Sequence, residues 1–188
     1  MNDAKFSEVH DKYTEMPEFS VIVGEFALKI VKYCYNLIGD VHEAQDATQE
    51  VFIRAFAGLD GVKDAAALSA WLYRIAYNVC MDILRARRRR GTLAQLKAGQ
   101  AEILSYEDNY NMGISADLQA ALASLKPADR ALVYSRAVDE MDYAQLEKIY
   151  NVSAATLRKR YERARKRLAA QLVGAATCRQ LPEKEETP

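Results

Sequence analysis

The sequence predicts an all-α protein of two small helical domains joined by a flexible linker, the C-terminal one a helix-turn-helix. Three observations predict it. Apolar residues recur three and four positions apart within residues 17–91 and again within 116–173. Between them, residues 92–115 are polar, glycine-bearing and net acidic, with little from which to build a core. Near the end, a short capped segment, a tight turn and a long basic segment follow one another, as in a helix-turn-helix.

Half of the 188 residues are hydrophobic, enough for a core. The formal charge of zero hides a pattern: residues 17–69 and 92–125 are net acidic, and 70–91 and 126–172 are net basic. Two basic blocks fit two meetings with a polyanion. Cys34, Cys80 and Cys178 lack metal-ligand spacing, and the first two sit in apolar stripes as small core residues. No run approaches membrane-span length, and residues 1–16 are too polar for a signal peptide, so a soluble protein of the reducing cytoplasm is expected.

Residues 1–16 are expected to fray. Residues 17–38 repeat Phe19, Ile22, Val23, Phe26, Ile30, Val31, Cys34 and Leu37 at helical spacing, and Gly39 supplies the left-handed stop. Asp40 caps the next helix, 40–59, with Glu43 placed for a capping box. Its buried face is expected to hold Ala44, Ala47, Val51, Phe52, Ala55 and Phe56. Asp46, Gln49, Glu50 and Ile53 lie together elsewhere, either as a docking strip for a basic partner or as a solvated acidic face. His42 with Glu43 and Asp46 is too sparse a donor set for a metal.

Residues 60–68 read as a loop. The segment SAWLYRIAYNVCMDILRARRRR (69–90) follows, with Ser69 as N-cap and Gly91 as stop. Its paired apolar positions, Trp71/Leu72, Ile75/Ala76, Val79/Cys80 and Ile83/Leu84, form one buried stripe. The other face carries Tyr73, Arg74, Tyr77, Asn78 and Arg85, then four further arginines. Guanidiniums, rings and an amide suit nucleic acid; a solvated basic helix end is the plainer alternative.

In the second block, Leu118, Ala121, Leu122 and Leu125 mark one helix. Pro127 opens another, 127–140, with Leu132, Val133, Ala137 and Val138 on its apolar side. Asp142 and Gln145 form a capping box for a short helix ending at Tyr150, and Asn151 suits a left-handed turn. Ser153 caps a long helix with Leu157, Tyr161, Ala164 and Leu168 inward. Arg158, Lys159, Arg160, Arg163, Arg165, Lys166 and Arg167 face outward, which favours a DNA-reading helix over a basic partner helix. The tail, 174–188, is charge-rich and expected to be disordered.

These motifs resemble the bacterial RNA polymerase sigma factors of the sigma-70 superfamily, extracytoplasmic-function (ECF) group. NLIGD (36–40), QDATQEVFIRAF (45–56) and WLYRIA (71–76) carry the first half of the resemblance; SLKPADRALV (124–133), DYAQLEKIY (142–150) and SAATLRKRYERARKRL (153–168) carry the second. The resemblance implies a promoter-specificity subunit that binds core RNA polymerase and directs initiation. Asp46, Gln49, Glu50 and Ile53 would grip the clamp helices of the largest subunit. Asp60, Lys63, Trp71, Tyr73, Arg74, Asn78, Arg85, Arg87 and Arg88 would contact the proximal promoter element and its melted strand, with Asn78 at a flipped-base pocket. Ser153, Thr156, Arg158, Lys159, Arg160, Arg163 and Lys166 would read the distal element.

The linker would thread the RNA-exit path, and the flap of the second-largest subunit and an anti-sigma factor, possibly membrane-anchored, would be further partners. The resemblance implies no catalysis, no cofactor, no metal and no small-molecule substrate. The competing reading is a two-domain helix-turn-helix regulator without a polymerase-subunit role. The chain departs from the family at four places, the first being the loop DGVKDAAAL (60–68), which lacks the aromatic often found after its middle. Glu140 and Asn151 stand where glycine is frequent, and Glu147 stands where a small residue is usual. An acid at 147 predicts either a pairing with a nearby cation or a looser short helix.

Overall fold

The computed structural model describes residues 16–95 and 116–179. The expectations for the first fifteen residues, for most of the linker and for the tail beyond 179 lie outside these. The described residues form seven α-helices and no strand: α1 (Phe19–Ile38), α2 (Val41–Gly58), α3 (Leu68–Gln95), α4 (Ala116–Ala123), α5 (Pro127–Ala137), α6 (Tyr143–Tyr150) and α7 (Ala154–Arg179). Two short 3-10 turns, Leu59–Gly61 and Ala65–Ala67, link α2 to α3.

The helix ends follow local chemistry. Gly39 stops α1 at φ +80°, its N–H on the Tyr35 carbonyl. The Asp40 carboxylate accepts from the Glu43 N–H at 2.8 Å, which satisfies one of the orphan donors at the start of α2. Glu43 turns away from the reciprocal bond and pairs with Arg87 at 2.8 Å. Both halves of the Asp142–Gln145 capping box form, and Asn151 takes φ +53°. Glu140 takes the same left-handed backbone, which for a residue with a Cβ costs about 1 kcal/mol.

Three expectations about ends are corrected. Helix α3 begins one residue early, so Ser69 lies inside its first turn with a buried, unbonded hydroxyl; Asp64 instead caps the turn that runs into it. Gly91 does not stop α3, which continues to Gln95. Helix α5 ends at Ala137, which leaves Ala137 and Val138 exposed.

Glu147 answers the question its charge raised. It is exposed, and its carboxylate accepts the Ala154 N–H while its own carbonyl accepts the Asn151 N–H. One residue thus pins the turn of the helix-turn-helix and places a negative charge at the N-terminus of α7, where the helix dipole favours it. Glu147→Ala is expected to cost about 1 kcal/mol. In thermal unfolding that is a loss of about 2–4 °C; an unchanged midpoint would show that the cap contributes nothing.

The core crosses between the halves. Helices α1, α2 and α3 pack mutually, and α7 gathers α4, α5 and α6. In addition α5 rests on α1 and α6 rests on α3. The main core runs from Ile22, Phe26, Ile30 and Leu72 through to Leu132, Met141, Leu146, Ile149 and Leu157. A smaller one joins Ala121, Leu122, Leu125, Val133, Ala164 and Leu168. Tyr33, fully buried, meets Tyr73 and Tyr134 edge-on at 5.2 and 5.9 Å, contacts that add about 1 kcal/mol each beyond their buried area.

Candidate nucleic-acid and partner interfaces

On α2 the core takes Ala44, Ala47, Val51 and Ala55. Asp46, Gln49 and Ile53 are left exposed, Ile53 at 64%, and Glu50 is half-exposed and paired with Arg54 at 2.7 Å. Phe56 was expected inside and is instead 68% exposed, with one edge against Phe19 at 5.1 Å. The signal was present in the sequence: 49, 53 and 56 keep helical spacing, so Phe56 continues the strip rather than the core face. The result is a row of carboxylate, amide, aliphatic and ring.

Helix α3 divides the expected nucleic-acid set. Arg74, Asn78 and Arg85 share one exposed face, at spacings of four and seven; Arg85 is held to Asp82 at 2.9 Å. Arg88 is exposed, as are Asp60 and Lys63 on the connection between α2 and α3. Trp71 is half-buried under the end of α2, and its ring comes so near Gly58 that a Cβ there would sit 3.2 Å from it. Tyr73 is a correction: it is not on the outer face but fully buried, between Tyr33 and Asp139. Tyr77 is half-buried, edge-on to Tyr150 at 4.8 Å. Arg87 is anchored, with one amine donating to the Ile38 carbonyl at 3.0 Å and the other to Glu43, so it ties α3 to the junction of α1 and α2.

On α7, Ser153, Thr156, Arg158, Lys159, Arg163 and Lys166 are exposed. The Ser153 and Thr156 hydroxyls lie 2.9 Å apart at its N-terminus. Arg158 stacks over the Tyr143 ring at 4.8 Å, which fixes a long cation without neutralising it. Arg160 does not point outward: it turns onto Asp129 of α5 through two contacts of 2.9 and 3.1 Å, with 26% of its side chain exposed. Arg160 therefore braces α7 against α5.

Burial sets the unusual ionisations. It holds the Tyr33, Tyr73, Tyr134 and Tyr150 hydroxyls well above the ordinary tyrosine range. Burial also pushes Asp139 up to about 7, against the lowering pulls of Tyr73 and Lys29. The Tyr73 hydroxyl and Asp139 Oδ2 face each other without completing a hydrogen bond of ordinary geometry. The hydrogen bond that the Cys80 thiol donates to Cys34, then burial, pushes that thiol up, which keeps it from acting as a nucleophile. No cluster of three metal-ligating side chains occurs among the described residues.

Comparison with known proteins identifies the class. Residues 22–90 match Sigma-70 region 2 and residues 115–168 match Sigma-70, region 4. These two regions, in this order, with only helices among the described residues, define a protein of the sigma-70 type. Over 172 residues the chain is 30% identical to the ECF RNA polymerase sigma factor SigW of Bacillus subtilis (strain 168), covering 86% of this chain and 92% of that one. It is 32% identical over 158 residues to the ECF RNA polymerase sigma factor SigE of Mycolicibacterium smegmatis, covering 81% of this chain and 61% of that longer one. The chain belongs to the ECF group of RNA polymerase sigma factors.

Solved structures share the fold. The sigma factor RpoE in complex with the anti-sigma factor NepR from Bartonella quintana superposes with a TM-score of 0.68 at 22% identity, over 82% of this chain and 96% of that one. CnrH in complex with the cytosolic domain of CnrY gives 0.62 at 19%, over 90% and 95%.

Proposed function

We propose that this chain binds core RNA polymerase through α2, reads a distal promoter element with α7, and holds the opened strand near the start site on α3. One observation carries the reading: the strip Asp46–Gln49–Ile53–Phe56 is solvent-exposed on the helix adjoining the Arg74–Asn78 face. An effector domain of an ordinary regulator has no need of such a strip beside a basic, amide-bearing helix, and family membership sets that alternative aside.

Melting a duplex costs stacking of about 1.4 kcal/mol per step. A protein without a nucleotide-hydrolysis site meets that cost by binding what melting exposes. Asn78 supplies an amide for a base edge, and Arg74, Arg85 and Arg88 supply charge for the backbone. Asp60 and Lys63, on the connection between α2 and α3, would read a displaced base. Arg158, Lys159, Arg163 and Lys166 approach base edges and phosphates in the major groove, with Ser153 and Thr156 at the leading end. Tyr73, Arg87 and Arg160 are left out of these contacts, Tyr73 because it is buried and the two arginines because each is paired within the chain.

Clamp helices and flap of the polymerase, promoter DNA and an anti-sigma factor are the partners of this reading, and the cytoplasm is its compartment. The chain contributes binding, not catalysis. The test is initiation from a promoter library by core polymerase with and without the purified chain. Specific transcripts are expected only with both. Asn78→Ala should reduce open-complex formation about tenfold and Arg158→Ala should reduce promoter binding by a similar factor, in the range of single base contacts. Initiation unchanged by both would overturn the assigned contacts.

A further inference from the structure

Arg160, Arg163 and Arg167 follow one another at spacings of three and four, so they share one flank of α7. Ala164 beside them is small and buried, which leaves room at the foot of that flank. Opposite stands the start of α5. Leu125 is buried and Pro127 opens the helix, so Lys126 is fixed at the N-cap, where it is exposed and makes no side-chain cap bond. Between the two helices lies a cavity of about 240 Å³ lined by Lys126, Asp129, Arg160, Arg163, Ala164 and Arg167. Its walls set four cations against one carboxylate. That carboxylate is already engaged: Arg160 donates to one oxygen of Asp129 through Nε and Nη2, at 3.1 and 2.9 Å. Arg163 is tethered through its Nε to the Lys159 carbonyl at 3.2 Å. Among the described residues Lys126 and Arg167 have no counter-ion.

We propose that this cavity binds a linear di- or triphosphate group, inorganic or carried by a nucleotide, and that its occupant competes with promoter DNA for Arg163. Guanidinium forks match phosphate oxygens in pairs, and an ammonium adds a point charge on the other side. The positive end of α5 points the same way. The cavity is smaller than the roughly 300–1,000 Å³ that enclose a drug-sized ligand, so it takes the phosphate chain and leaves any attached nucleoside outside. A duplex offers its phosphates one at a time along a convex edge. Linked phosphates bring several charges into one hollow, which is what four converging cations require. The competition rests on the reading of α7 as the helix for the distal element, since Arg163 serves both ligands. A filled cavity thus weakens promoter reading while α2 stays open to its partner.

Titration calorimetry of the full chain with tripolyphosphate, a nucleoside triphosphate and orthophosphate tests the site. Tripolyphosphate should bind once per chain, and orthophosphate about tenfold more weakly, for want of a second charged contact. The nucleoside triphosphate tells the sources apart: if it binds more tightly than tripolyphosphate the nucleotide is the ligand, and if more weakly the inorganic chain is. Lys126→Glu should weaken tripolyphosphate about tenfold, the scale of one hydrogen bond to a charged group. Lys148→Glu, the same charge change at an exposed position of α6, should leave it unaltered. No binding, several anions per chain, or equal loss in the two variants would overturn the proposal. With core polymerase present, tripolyphosphate should displace a fluorescent distal-element duplex from the wild-type chain, and from Lys126→Glu only at about tenfold higher concentration. Displacement from both at the same concentration would overturn the competition for Arg163. A chain that binds tripolyphosphate in this way yet never binds the duplex would instead sink the reading of α7 and leave the cavity's ligand standing.

Discussion

Glu50→Lys is expected to lower the affinity of the chain for core polymerase at least thirtyfold, about 2 kcal/mol, the scale of a central interface residue. Glu50 sits among Asp46, Gln49 and Ile53 on a face the core does not use. A basic partner surface that meets carboxylates would meet a cation instead, and like-charge juxtaposition across an interface is strongly unfavourable. The fold should survive. Within α2 the change exchanges an exposed pair with Arg54 for a like-charge neighbour four residues away, worth about 0.5 kcal/mol. Equilibrium binding to core enzyme together with a thermal scan separates the two effects. Unchanged affinity with an intact fold would remove α2 from the docking surface.

Raising pH from 4 to 8 is expected to loosen the contact between the two domains, and Asp139→Asn is expected to abolish that dependence. The Asp139 carboxyl is held at about 7 by burial in the closed form and returns to the ordinary carboxylate range when exposed. The closed form therefore binds the proton more tightly. Below pH 4 both forms are protonated and closure carries no penalty. Between 4 and 7 the closed form loses stability with each unit, and above 7 the full cost of a buried carboxylate is present.

That cost is at most about 4 kcal/mol, three pKa steps at 1.36 each. The groups facing Asp139 are Tyr73 of α3, Lys29 of α1, Tyr134 of α5 and Tyr150 of α6. The tyrosines stay protonated across this range because burial holds them high, so the titration belongs to the carboxyl. Solution scattering or interdomain fluorescence transfer against pH reads it. A flat profile in the native chain, or an unaltered one in Asp139→Asn, would show that the carboxyl does not control closure.

Much of the fold was legible. The helix stops at Gly39 and Asn151, the caps at Asp40 and Asp142, and the inner row Leu157, Ala164, Leu168 all formed as spacing and turn chemistry required. The candidate strip on α2 was legible too, save Phe56, whose ring size argued for the core while its position argued for the strip. Its exposure shows that position decided. The failures share a different origin. Tyr73 lies at the edge of the α3 stripe, three and seven residues before Ala76 and Cys80, and is closed in by Tyr33 of α1 and by Asp139; the pairing of apolar neighbours along α3 left it on the outer face. Arg160 on α7 and Arg87 on α3 each belong to a row of cations that reads as one surface of its helix, yet each finds a carboxylate on another helix, 31 and 44 residues away.

The sequence by itself determined where helices start and stop and which side of each is apolar, because those depend on groups within one or two turns of each other. It determined the family for the same reason, since its motifs are short and local. Only the tertiary structure decided which aromatic and charged side chains are free to meet a partner. Tyr33 and Tyr150 are 117 residues apart and meet within hydrogen-bonding distance, and no helical period encodes what a second domain covers when it folds back onto the first.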